Sequence, residues 1–99
     1  MIEGKTKNGF KFSIDEQRLQ DIRVVDAIAT LDEENDDIKR LRSLSTLRQV
    51  MLGKDSDRLL EHIHDLHGED DLIPAQEVME TLTEIIKLVA EKSKEIKNS

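Results

Sequence analysis

The sequence predicts a mainly α protein, a small helical bundle of about four helices with an N-terminal β-hairpin packed on it. Three observations carry this expectation. Residues 1–15 alternate apolar and polar around Asn8-Gly9, a strong hairpin turn signal. From there onward the apolar residues recur at helical spacing, punctuated by Gly53, Gly68 and Pro74. At 99 residues the chain has the length of one compact domain and not of two. Within that domain the expected parts are the hairpin over 1–15, a helical body over 16–97 and a short tail over 98–99.

The hairpin register follows from the pattern. A two-residue turn at Asn8-Gly9 would set Lys5 opposite Phe12 and turn Ile2 away from the Phe rings. A three-residue loop over 7–9 pairs Thr6 with Phe10, Gly4 with Phe12 and Ile2 with Ile14. Every apolar side chain then lies on one face, which decides the register. Gly9 is expected at positive φ as a bulge after a type I turn. A lone hairpin is marginal in water, so this one is expected to lie on the helices.

A first helix is expected over 15–31, with Asp15 as its N-cap. In its second half only Arg23, Asp26 and Thr30 form a polar stripe, and Ile22, Val24, Val25, Ala27, Ile28, Ala29 and Leu31 cover the rest. A helix apolar over most of its circumference is expected to be central. A second helix over 36–52 ends at Gly53. Its Ile38, Leu41, Leu44 and Leu47 are spaced by three, and Ser43, Ser45 and Thr46 fit a kink near 43–45. A short third helix begins at Asp55 or Ser56, turns Leu59, Leu60, Ile63 and Leu66 inward, and stops at Gly68. Ile73-Pro74 opens a fourth helix over 75–97. Its stripe is Val78, Leu82, Ile85, Ile86, Val89 and Ile96, with Met79 and Ala90 at the edges. Glu77 and Glu80 near its start and Lys92, Lys94 and Lys97 near its end match the helix dipole.

Composition narrows the function. Charged residues (37%) slightly outnumber apolar ones (36%), which gives a lean core under a charged surface. With two Phe and no Trp or Tyr, the core has to be built from Leu, Ile, Val, Ala and Met. The absence of Cys excludes disulfides and thiolate metal sites. The net charge of -7 disfavours nucleic acid as a partner. Lys39, Arg40, Arg42, Arg48, Lys54 and Arg58 make the middle of the chain basic between Asp32-Glu33-Glu34 with Asp36-Asp37 and Glu69-Asp70-Asp71. That is read as a solvated surface with internal charge complementarity. No apolar run approaches the ~18 residues of a membrane span, and Met1-Ile2-Glu3-Gly4-Lys5 lacks a signal-peptide core. No membrane contact is expected, and the cytosol is the expected compartment.

The residues that invite chemistry carry little of it. His64 and His67 are spaced i,i+3, but His62 points elsewhere on a helix, and the zinc-protease spacing of two His at i,i+4 is absent. The histidines are expected on an exposed face, with no metal. Asp32, Glu34 and Asp36 alternate as in a calcium loop, yet the positions that need Gly and Glu hold Asp37 and Ser43. There is no phosphate-binding Gly-rich loop and no G-x-S-x-G nucleophile turn. The reading is therefore non-enzymatic, without a cofactor. Two features favour binding another protein: a first helix with more apolar surface than a small bundle needs, and a fourth helix of roughly 34 Å beside a third of about half that length. Val24, Leu31, Leu88 and Ile96 are the residues expected to face a partner, and weak self-association fits the same reading.

An ordered set of features runs along nearly the whole chain. Gly9-Phe10-x-Phe12-x-Ile14-Asp15 is followed by Leu19-x-Asp21, Asp26-Ala27, Leu31-Asp32, Leu52-Gly53-Lys54, Gly68, Ile73-Pro74 and Lys97-Asn98-Ser99. In order and length this resembles the small tail assembly chaperones of tailed bacteriophages, above all those of Gram-positive hosts. The resemblance implies a protein made in the host bacterial cytoplasm during assembly and absent from the mature virion. It implies a partner as well, the long helical tape measure protein. Tail tube subunits would be brought in indirectly, through a longer frameshifted form. The alternative from another class is an acidic regulatory binder of the antitoxin or anti-repressor type, which needs its acidic residues gathered on one face.

Overall fold

A computed structural model describes residues 1–98, with side chains described through Ser93. Strands β1 (Ile2–Lys5) and β2 (Lys11–Ile14) form an antiparallel hairpin. A 3-10 turn (Glu16–Gln20) leads into α1 (Ile22–Glu33), α2 (Asp37–Leu52), α3 (Ser56–His67) and α4 (Ala75–Asn98). The fold is the expected one, mainly helical with the hairpin packed on the helices.

The hairpin has the register that the apolar pattern demanded. Ile2 pairs with Ile14 and Gly4 with Phe12. The Thr6 amide donates to the Phe10 carbonyl at 2.9 Å, and the Gly9 amide closes the turn onto the Thr6 carbonyl at 3.0 Å. Gly9 has φ +90°, a conformation that strains any residue with a Cβ. Ile2, Phe10, Phe12 and Ile14 are all buried. They join Val24, Ala27, Leu44, Leu47, Met51, Leu59, Ile63, Val78, Leu82, Ile85 and Val89 in one core.

The first helix differs from expectation. It is not continuous over 15–31, because the chain breaks at Asp21, where φ -63° and ψ 130° are extended. Asp15 caps the 3-10 turn by accepting from the Gln17 amide, and Asp21 caps α1 by accepting from the Arg23 amide at 2.9 Å. Two good caps six residues apart thus split the expected helix into a 3-10 turn and α1. The Arg23 guanidinium also folds back on Asp21 at 2.8 Å. Its side-chain hydrogen bonds, with the amide bond, hold the Asp21 carboxyl down at about 2.

Nor is α1 central. It packs along α2 with Val24 and Ala27 buried and Ile28 and Leu31 half-buried. Ile22, Val25 and Ala29 remain exposed, Ile22 by 66%. The hairpin lies instead on α4, the helix β1 runs against. Helix α2 is the main neighbour of α1 and hides chiefly one face of it.

Helix α2 is one α-helix over Asp37–Leu52, with no break at 43–45. Asp36 caps it, accepting from the Ile38 and Lys39 amides, and Gly53 ends it at φ +55°. Helix α3 buries Leu59 and Ile63, half-buries Leu60, and leaves Leu66 exposed rather than inward. Helix α4 buries Val78, Leu82, Ile85 and Val89; Ile86, Met79 and Leu88 are half-buried and Ala90 is exposed. The body reaches at least Ser93 on this helix. Lys92 Nζ donates to the Glu3 carbonyl and Ser93 Oγ to Glu16. The expected projection of the helix end concerns side chains outside the described residues. Among the described residues no helix is long and apolar enough to cross a membrane.

Candidate protein-binding groove

The spacing of three along α2 positions the most open apolar surface. Three residues advance a helix by about 300°, so each step drifts about 60° around the axis. Leu44 and Leu47 therefore reach the core, while Leu41 (54% exposed) and Ile38 (64% exposed) rotate out of it. Opposite them, α4 opens at Pro74, whose carbonyl accepts from the Glu77 and Val78 amides at 3.1 and 3.2 Å. Between the first half of α2 and the first turns of α4 lies a groove of about 260 Å³. Buried Leu44 and half-buried Met79 form its deeper lining, exposed Leu41 and Ala75 its outer lining, and Leu31 of α1 contributes as well.

One cation stands in this apolar lining. Arg40 is half-buried, with Nη2 3.9 Å from the Met79 sulfur. Its Nε is buried and has no hydrogen-bond partner among the described residues. None of the ion pairs formed among the described side chains includes it.

Leu31, Arg40 and Met79 also border a wider concavity of about 840 Å³ on the outer side of α4. Asp32, Glu77, Glu80 and Glu84 line it together with Lys7, Arg40 and Lys87. The acidic residues there are interleaved with cations, and two are engaged: Glu84 accepts from the Lys7 amide at 2.8 Å, and Glu77 pairs with His67 at 2.7 Å.

The histidines do not form the open surface expected of them. His62, His64 and His67 are each half-buried and hydrogen-bonded. His62 Nε2 donates to the Asn8 carbonyl at 2.9 Å and its ring lies 5.7 Å from that of Phe10. The Arg58 guanidinium covers the same Phe10 ring at 4.6 Å. Asn8 Nδ2 donates to Thr81 Oγ1 at 3.0 Å, so the hairpin tip is held by α3 and α4 together. His64 pairs with Asp71 at 2.5 Å, and that hydrogen bond raises its pKa above the ordinary value. Asp71 itself has φ +52°, a left-handed conformation that Asp tolerates better than most residues. These pairs tie the turn before α4 to α3.

The four residues expected to face a partner fare differently. Val24 has no exposed surface, because it is the α1 side chain turned into the core; its neighbours Ile22 and Val25 carry the open apolar face instead. Leu31 is at the groove. Leu88 is half-buried, packed against the core. The Ile96 side chain lies outside the described residues. Sequence reasoning missed Arg40, Leu41 and Met79 as a group. The drift of the three-residue spacing was the available signal for Leu41, whereas Arg40 was one cation in a basic run.

In chemical terms the groove offers apolar contact bordered by the Arg40 guanidinium, the Asp37 carboxylate and the Gln76 amide, the ingredients for holding the striped face of another helix. No family model matches the chain, and neither a characterised protein nor a solved structure matches it significantly.

Proposed function

We propose that this chain is a non-catalytic tail assembly chaperone that binds and solubilises the tape measure protein during phage tail morphogenesis. The observation that carries the reading is the apolar groove between α2 and α4, open on a chain of net charge -7. An amphipathic client helix seats its i, i+3, i+4 anchors against Leu41, Leu44 and Met79. The charged surface around the groove keeps the complex soluble. The order of sequence features that resembles phage tail assembly chaperones supplies the identity of the client. A tape measure protein offers many such helical segments, so several copies of this chain act along one client and each contact is weak. A micromolar contact corresponds to about -8 kcal/mol. The protein acts in the host bacterial cytoplasm and is left out of the mature virion.

Co-expression with the tape measure gene from the same genome tests this. The expected result is a soluble complex with several copies of the chaperone per client. A tape measure protein that stays insoluble, with no complex co-purifying, overturns the proposal.

A further inference from the structure

The setting of Arg40 says more about the client than that it is apolar. Arg40 projects from α2 across to α4, where its guanidinium rests on the Met79 sulfur. The thioether is a weak acceptor and leaves the charge unanswered. Nε is shielded from water and unpartnered among the described residues, and no described carboxylate forms an ion pair with this side chain. Asp37, one turn earlier on α2, lines the same groove, and Asp32, Glu80 and Glu84 line the adjoining concavity, all without pairing with it. A partly desolvated guanidinium whose Nε has no acceptor is stabilised when one arrives. Arg presents its N–H groups as a planar fork that fits a carboxylate at two points. Two further cations, Lys39 and Arg42, stand exposed on α2 beside it. Lys39 meets Glu34 only at 3.8 Å, and Arg42 forms no ion pair among the described residues. With Lys39 and Arg42 near it on the same helix, Arg40 suits an anionic group on a docked partner.

We propose that the α2–α4 groove selects amphipathic helices that carry a carboxylate at the border of the apolar stripe, and that Arg40 is the residue that recognises it. This rests on the reading of the groove as a helix-binding site. Leu41, Leu44 and Met79 supply most of the contact, and Arg40 decides which helix is accepted and in which register. A helix with the same stripe and no acid covers the half-buried guanidinium without pairing it, and so binds more weakly.

Synthetic helical peptides test it, with leucines at i, i+3, i+4 and i+7 and a single Glu placed in turn at each position bordering the stripe. Each is compared with its Gln counterpart by fluorescence anisotropy against the full chain. At one or more positions the Glu peptide is expected to bind about ten-fold more tightly than the Gln peptide. Arg40→Met should abolish that difference while keeping the weaker apolar binding, since Met fills the space beside Met79 without needing a partner. Arg40→Lys, which keeps the charge and loses the fork, should retain only part of it. Circular dichroism establishes that each variant is folded. Equal binding of Glu and Gln peptides at every position, or a Glu preference that survives in Arg40→Met, overturns the role of Arg40 and spares the groove. Binding of neither peptide series overturns the groove as a helix site, and this inference with it.

Discussion

Gly4 on β1 faces Phe12, its partner across the hairpin, and the ring lies over the glycine. A Cβ on Gly4 would stand 2.6 Å from Phe12 Cζ and 3.0 Å from Cε1. Favourable carbon contacts lie near 3.5–4.0 Å, so the shortfall is about 1 Å. Two effects of Gly4→Ala oppose each other. Reduced freedom of the unfolded chain stabilises by about 0.4–1 kcal/mol. Overpacking against a ring that is itself 3% exposed costs about 1–3 kcal/mol. The overlap wins, and Gly4→Ala is predicted to destabilise by roughly 0.5–2 kcal/mol. In a Phe12→Leu background the clashing ring atoms are gone, and the same substitution should be neutral or stabilising. Urea unfolding followed by circular dichroism at 222 nm measures all four proteins of the cycle, with an expected coupling of about 1 kcal/mol or more. If Gly4→Ala stabilises the wild-type background, or has the same effect in both, the ring does not occupy the glycine slot and the account of the hairpin fails.

The remaining predictions concern the core, the histidines and metals. Phe12→Ala should cost about 3–5 kcal/mol in the same unfolding assay, and a loss below about 1 kcal/mol would mark the strand as peripheral. The His64 imidazole should titrate above its ordinary pKa in an NMR pH series, and Asp71→Asn should return it toward that value. Since the folded pKa is the higher one, the stabilisation from this pair is complete below the unfolded value of 6.5 and is lost as pH rises through the folded value. Unchanged titration in Asp71→Asn would remove the pair as its cause. Stoichiometric zinc or calcium should leave the melting temperature unchanged, because an ion that does not bind the native state cannot shift it; a rise of several degrees that disappears in His64→Ala would contradict this.

The parts of the fold governed by local patterning were legible in the sequence. The alternation of Phe10, Phe12 and Ile14 against Ile2, Gly4 and Thr6 admits one register with all apolar residues on one face, and that register is the one formed. Gly53 and Gly68 end helices because each takes a positive φ. Choices between equivalent local signals were not legible. Asp15 and Asp21 are both sound N-caps, and the five residues between them, with Leu19 the one apolar member, contain no Gly or Pro to mark a break. The position of α1 depended on how many neighbours a short chain can supply, so its apolar circumference predicted more burial than α2, its main neighbour, provides. The groove is less local still. It exists because α2 and the start of α4 meet, and no pattern within either helix states which of its residues will face the other. His67 with Glu77 and His62 with Asn8 were hidden for the same reason.

The account stands most directly on where a client helix lands. A ¹⁵N-labelled sample of the full chain, titrated with a soluble helical segment of the tape measure protein, gives that answer in one series of amide correlation spectra. Shifts are predicted to cluster on both sides of the groove, at Leu31, Arg40, Leu41, Ala75 and Met79, and to saturate in the micromolar range. Shifts confined to the exposed outer face of α1 around Ile22 and Val25, or absent from the spectrum at saturating client, would contradict it.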